Sequence, residues 1–171
     1  MSVEFDESGM HFGPYPDEDC FWIEKCKLYT RIQQGLKIAE FALLWPSNSA
    51  VRDVWIVEAK SSSPYEKVRL AEYMDEIRQK LTNSIQITLA ACLGRHAEAD
   101  VNLPVGFKLL DLKAASFKCV LLINGTPKSE LQSLQEALVR EMKTVVRTFG
   151  LKPGCVLVLN DAQARSKGLI A

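Results

Sequence analysis

The amino-acid sequence predicts an α/β protein, a mixed β-sheet flanked by helices. Two runs rich in β-branched and aromatic residues lie close together across a short polar stretch, as in an antiparallel hairpin. Two long downstream segments place apolar residues every three or four positions, the spacing of an amphipathic helix. Each helical segment is followed by a continuous apolar run of strand length. The order hairpin, helix, strand, helix, strand gives a sheet with both faces covered, because strands that are apolar throughout are those buried on both sides.

Residues 1 to 19 mix acids with Gly9, Gly13, Pro14 and Pro16 and read as a loose arm or an irregular strand. From Cys20 to Gln34 two readings stay open: Phe21, Ile23, Leu28 and Ile32 suit a helix, whereas Cys20 to Tyr29 also suits a strand. Leu36 to Trp45 is expected to be a strand, closed by Pro46-Ser47-Asn48-Ser49, with Val54 to Lys60 as its partner. Ser61-Ser62-Ser63-Pro64 breaks the pattern and is expected to cap the next helix, with Pro64 in its first turn. Val68, Ala71, Met74, Ile77, Leu81, Ile85, Leu89 and Cys92 form the stripe of one long helix, with a bend expected at Asn83-Ser84. Leu103 to Ser116 is irregular, and Phe117 to Asn124 is a buried strand ended by Gly125. Ser129 and Gln132 have capping-box spacing at the start of a second helix. Its stripe runs Leu131, Leu134, Leu138, Met142, Val145 and Phe149 until Gly150 and Pro153 stop it. Cys155 to Asn160 is the last strand.

A chain of 171 residues is long enough for one domain that buries roughly two thirds of its extended surface. Residues 20 to 171 are therefore read as one domain behind an acidic arm, residues 1 to 19. Lys and Arg number 21, as do Asp and Glu, and a formal charge of zero argues against a wholesale polyanion binder of the histone type. That zero is a cancellation. Seven acids and no basic residue lie between Met1 and Glu24, so the rest of the chain carries all 21 basic residues against 14 acids, a balance compatible with a nucleic-acid partner. Cys20, Cys26, Cys92, Cys119 and Cys155 include no CxxC pair, and only His11 and His96 are available to join them, so no zinc site is expected. Free thiols within apolar strands suit a reducing compartment. With no basic-then-apolar leader and no apolar run of membrane-spanning length, the expectation is a cytoplasmic protein with no membrane partner.

The informative stretch runs from Glu40 to Ser63. Side chains alternate along a strand, so Val54, Ile56, Glu58 and Lys60 share one face while Trp55, Val57 and Ala59 take the other. A hairpin centred near Ser49 sets Glu40 opposite Glu58 on that same face. Two carboxylates then meet one ammonium, and like charges opposed across a sheet call for compensation from Lys60 or from a bound cation. Paired carboxylates hold a hard cation such as Mg²⁺, which keeps several waters and bridges to a phosphate. The cation acidifies a bound water and neutralises charge at phosphorus, and a neighbouring lysine orients that water or steadies the transition state. Metal-assisted phosphodiester hydrolysis is the reaction class these residues suit.

Glu40, a gap of 17 residues, then Glu58-Ala59-Lys60 at the end of an apolar strand, followed by a Ser-rich turn and a helix, resembles the active-site signature of the PD-(D/E)xK nuclease superfamily. This is the restriction-endonuclease-like fold. The resemblance implies an α-β-β-β-α-β core and Mg²⁺- or Mn²⁺-dependent cleavage of DNA or, less often, RNA. It implies Glu40 and Glu58 as metal ligands, assisted by the backbone carbonyl of Ala59, with Lys60 positioning the attacking water. Glu24 would stand where some members carry an additional acidic ligand, and Gln86 where some carry a Gln on the following helix. The first acid departs from the family's usual Asp after Pro, since Glu40 follows Ala39, and Asp53 is a rival acid on the opposite face of the strand. Some members have lost activity, so the alternative function is an inactive interaction or regulatory subunit. Either way, targeting is expected to come from a homodimer or a partner protein.

Other signals are bland. Asp111-Leu112-Lys113 and Glu141-Met142-Lys143 repeat the acid-x-Lys triplet without the strand context. Trp22, Trp45 and Trp55 suit a core as well as base stacking. Lys143, Arg147 and Lys152, with Arg165 and Lys167, suit phosphate contacts or a helix end complementing its macrodipole.

Overall fold

The computed structural model describes residues 1–46 and 51–171. In chain order the elements are β1 (Ser2–Glu7), β2 (Met10–Pro16), β3 (Cys20–Phe21), a 3-10 turn (Ile23–Lys25), α1 (Lys27–Ile32), β4 (Phe41–Trp45), β5 (Asp53–Lys60) and α2 (Lys67–Cys92). The short helices α3 (Glu98–Val101) and α4 (Val105–Lys108) precede β6 (Phe117–Ile123), α5 (Lys128–Phe149), β7 (Val156–Asn160) and α6 (Asp161–Lys167). The expected α/β class with a mixed sheet and helices is what forms.

Five strands make the main sheet in the order β3-β4-β5-β6-β7. The first three are antiparallel neighbours, whereas β5 to β6 and β6 to β7 are parallel. Each parallel step returns through a long helix, α2 and then α5, and both helices pack on one face of the sheet. Alternation along the strands divides the core in two. Ala42, Leu44, Val54, Ile56, Cys119 and Leu121 face Met74, Ile77 and Leu81 of α2 and Leu134, Leu138 and Met142 of α5. Phe41, Leu43, Trp55, Val57, Val120 and Leu122 face the other way.

That second face is covered by the segment expected to be a loose arm. Strands β1 and β2 form a hairpin that turns at Ser8 and Gly9, both in the left-handed region at φ 51° and 76°, as a two-residue turn matching strand twist requires. Its inward side chains Phe5, Met10, Phe12 and Tyr15 are buried on the sheet with Leu169 and Ile170, while acids such as Glu4 and Asp6 point outward. The acids thus occupy the solvent face of an amphipathic hairpin, which is why their density reads as an arm. The C-terminus pins it: Phe12 bridges Ile170, and the Ala171 N–H donates to the His11 carbonyl at 3.0 Å.

Other expectations shift. Leu36 to Glu40 is outside β4, because its backbone bonds sideways to α2: the Ala39 N–H donates to Ser84 Oγ at 2.8 Å, and Asn83 Nδ2 donates to the Lys37 carbonyl at 2.7 Å. Those same bonds use Asn83 and Ser84 within a continuous helix, where a bend was expected. The caps differ too. Glu66 and Pro127 are the N-caps of α2 and α5, neither with a side-chain cap bond, so Ser63 and Ser129 do not cap. Gly150, at φ 61°, does close α5, with the Leu151 N–H reaching the Val146 carbonyl. The segment Cys20 to Gln34 resolves into a two-residue strand, a 3-10 turn and a short helix, so neither single-element reading holds. The hairpin turn centred near Ser49 lies outside the described residues.

Candidate functional site

Strand β5 carries the site. Phe41 pairs with Val57, Leu43 with Trp55 and Trp45 with Asp53, and Glu40 lies one residue beyond the paired part of β4. The Glu40 N–H donates to the Val57 carbonyl at 3.1 Å, one residue out of that register. Val54 and Ile56 face the α2 core, so Glu58 and Lys60 do too, and Trp55, Val57 and Ala59 lie in the opposite core. Asp53 begins the strand on that opposite face, with its Oδ2 3.5 Å from Lys118 Nζ, and stands apart from the site.

Glu58 is fully buried, at 0% exposure. Lys80, projecting from α2, donates to its Oε1 at 2.7 Å, and Lys60 Nζ lies 3.2 Å from the same oxygen. Lys60 is also 3.4 Å from Glu76 Oε1, and Lys37 is 3.7 Å from Glu76 Oε2. Glu58 Oε2 is buried with no hydrogen-bond partner among the described residues.

The electrostatics follow from burial. Desolvation raises the Glu58 pKa, opposed by Lys80 and then Lys60. The Glu40 carboxyl is pushed up to about 8, first by burial and then by repulsion from Glu58, Glu7 and Glu24, with Lys80 pulling the other way. Burial alone would lower Lys80, but Glu58, Glu40 and Glu76 outweigh it and raise its pKa. Glu76 is held below the usual carboxylate range because Lys60 and Lys37 overcome its partial burial. Near neutral pH, Glu40 is therefore mostly protonated in the absence of a cation, which relieves its repulsion from Glu58.

Lys80 was not visible as a site residue in the sequence. Its one signal is that Tyr73, Glu76 and Lys80 recur at helical spacing beside the buried stripe of Met74, Ile77 and Leu81, a pattern equally typical of a solvated flank. Glu24 is exposed in the 3-10 turn and reaches Glu40 only through its field. Gln86 is exposed on α2 and makes no hydrogen bond to Glu58, Lys60 or Glu40. At the end of the strand, the Asn124 N–H donates to the Lys60 carbonyl at 2.9 Å, and Asn124 Nδ2 reaches the Ser8 and Gly9 carbonyls at 3.2 and 3.3 Å. The hairpin turn is thereby tied to the strand end that bears Lys60.

No family model, curated protein or solved structure matches this chain.

The fit to a divalent cation rests on the donor set. Mg²⁺ is commonly bound through one or two carboxylates with its remaining positions filled by water; the donors available here are Glu58, whose buried Oε2 has no partner among the described residues, and Glu40, which feels the Glu58 charge. Among the described residues no group of three or more His, Cys, Asp or Glu forms a fuller cage. No described helix is long and apolar enough to cross a membrane.

Proposed function

We propose that this chain is a metal-dependent phosphodiesterase of the restriction-endonuclease-like type, hydrolysing DNA or RNA at Glu40, Glu58 and Lys60. The observation that carries this reading is that Glu58 and Lys60 share one face of β5, just past the Phe41–Val57 pair that brings Glu40 alongside, with one buried Glu58 oxygen unpartnered. Sheet order from β3 through β6, three antiparallel strands and then a parallel strand reached through α2, also suits that core, although α1 interrupts the chain between β3 and β4. A hairpin stands where the family has its first helix, and β3 has only two residues.

Glu40 and Glu58 would hold Mg²⁺ or Mn²⁺ with the Ala59 carbonyl, and the cation would supply an acidified water and charge neutralisation at the phosphate. Lys60, still 26% exposed, meets solvent where a substrate arrives and orients the water. Lys80, more enclosed, favours the ionised form of Glu58 against its burial and fixes the side chain. Water adds across the scissile P–O bond, one oxygen of the phosphodiester leaving with a proton.

One observation favours a second reading, an inactive interaction subunit of the same fold. Both ammonium groups converge on a single Glu58 oxygen, so the buried charge is already compensated within the protein. The test is cleavage of plasmid, linear, branched and single-stranded DNA, and of RNA, with Mg²⁺ or Mn²⁺. Wild type is expected to cut at least one substrate, and Glu58→Ala and Lys60→Ala, checked for folding by circular dichroism, to lose it by 100-fold or more. Unchanged cleavage in Glu58→Ala defeats the site assignment, and no metal-dependent cleavage by wild type selects the second reading.

A further inference from the structure

The solvent face of α5 gathers basic side chains without acidic partners into one row. Elsewhere several bases are matched, Arg31 to Asp100, Arg52 to Asp19, Arg78 to Asp75, Lys108 to Glu98 and Lys118 to Asp53, and unmatched ones such as Lys27, Arg95 and Lys113 stand singly on short elements or loops. Arg140, Lys143 and Arg147 are exposed, and none lies within ion-pair distance of a carboxylate among the described residues. They are three and four residues apart, so they line one helix face with a rise of about 4.5 to 6 Å between neighbours. Lys152 follows the Gly150 cap, exposed and likewise unpaired, and no acid occurs from Met142 to Asn160.

At its N-terminal end the row meets a groove between α5 and the start of α2, lined by Arg140 and Glu141 on one side and Lys67 on the other, over apolar Leu70 and Met74. Helix α2 then carries Glu76 and Lys80 to Glu58. No aromatic side chain anchors the cationic face, and Thr144 contributes a hydroxyl on it. Protein-binding hot spots rely on buried aromatic and apolar anchors, whereas phosphate contacts need cations and hydroxyls.

We propose that Arg140, Lys143 and Arg147, continued by Lys152 and Lys67, form a surface that binds the phosphate backbone of a nucleic acid and leads it across the α2–α5 groove toward the Glu58 site. The proposal rests on the nuclease-type reading for its direction and goes beyond it in assigning the binding surface. Contacts of this kind are insensitive to sequence and strongly dependent on salt.

The experiment is fluorescence anisotropy of labelled duplex DNA, single-stranded DNA and RNA with the full chain from 50 to 200 mM NaCl. It compares wild type, the Arg140→Gln/Lys143→Gln/Arg147→Gln variant and Glu58→Ala. Wild type is expected to bind at least one of the three. The triple variant is expected to bind about tenfold or more weakly at 50 mM, with the slope of log affinity against log salt smaller by about 2 to 3 for a duplex, near 0.9 per lost phosphate contact. Its thermal midpoint is expected to stay close to that of wild type, since all three side chains are exposed and none carries an ion pair among the described residues. Glu58→Ala keeps wild-type affinity, which separates binding from catalysis: lost cleavage with unchanged binding in the triple variant defeats the surface alone, and lost binding in that variant without cleavage by any form leaves the surface standing while the catalytic reading falls. No nucleic-acid binding by wild type overturns the proposal. So does a salt-sensitive dimer, seen by sedimentation and abolished in the triple variant, that accounts for the face as a contact between copies.

Discussion

Lys80 Nζ donates to Glu58 Oε1 at 2.7 Å across a sequence separation of 22 residues, while Glu58 Oε2 has no partner among the described residues. Helix α2 therefore does more than cover the sheet. It inserts a cation beside a carboxylate whose ionised form burial disfavours. Lys60 at 3.2 Å is the second neutralising charge, and Glu76 balances Lys60 in turn.

Removing Lys80 leaves that charge under-compensated. Lys80→Met is expected to cost about 3 kcal/mol in urea unfolding, at the low end for breaking a buried pair because Lys60 remains. Glu58→Met/Lys80→Met should be less destabilised than the sum of the two single variants, with a coupling of about 1–3 kcal/mol. Strict additivity would show that the two side chains do not support each other.

Stability should fall as pH rises through neutrality. Glu40 has a folded pKa of about 8 against about 4.3 in an unfolded chain, so between these values the folded state binds the extra proton. Its contribution is fully present below about pH 4.3 and lost by the time pH passes 8; the raised Glu58 acts in the same direction. Urea midpoints at pH 5, 6.5 and 8 are expected to decline in wild type and to decline less in Glu40→Gln. Equal slopes for the two proteins would contradict the assignment to Glu40.

A divalent cation must displace the Glu40 proton, so its binding should strengthen with pH. Mg²⁺ or Mn²⁺ at ten times its Kd should stabilise the folded protein by about 1.4 kcal/mol, raising the thermal midpoint. The increase is expected to be larger at pH 8 than at pH 6 and absent in Glu58→Gln. An identical increase in that variant places the cation elsewhere.

The amino-terminal hairpin is predicted to be indispensable. Phe12 is fully buried, and Phe12→Ala should cost about 3–5 kcal/mol. Deleting residues 1 to 19 uncovers Phe41, Val57 and Leu122 and is expected to abolish cooperative thermal unfolding. A truncated chain that still melts in one sharp transition would show the hairpin to be an accessory.

The sequence by itself determined the α/β class, the long helices and the face of β5 that bears Glu58 and Lys60. Those are local matters: periods of two and of three to four are written in adjacent residues and need no knowledge of what lies opposite. It also determined the antiparallel register of β4 on β5, Phe41 on Val57 through Trp45 on Asp53, whereas Glu40 lies beyond the paired residues. Only the tertiary structure decided that residues 1 to 19 are a packed hairpin, since Phe5, Phe12 and Tyr15 gain from burial only once the second face of the sheet exists to receive them. It alone decided the end of β4 as well, where Ser84 and Asn83 of α2 take backbone groups that a longer strand would have used. Lys80 is the clearest case. Nothing near it in the chain distinguishes a solvated helix lysine from the partner of a buried carboxylate, because the distinction lies in the packing of α2 over β5.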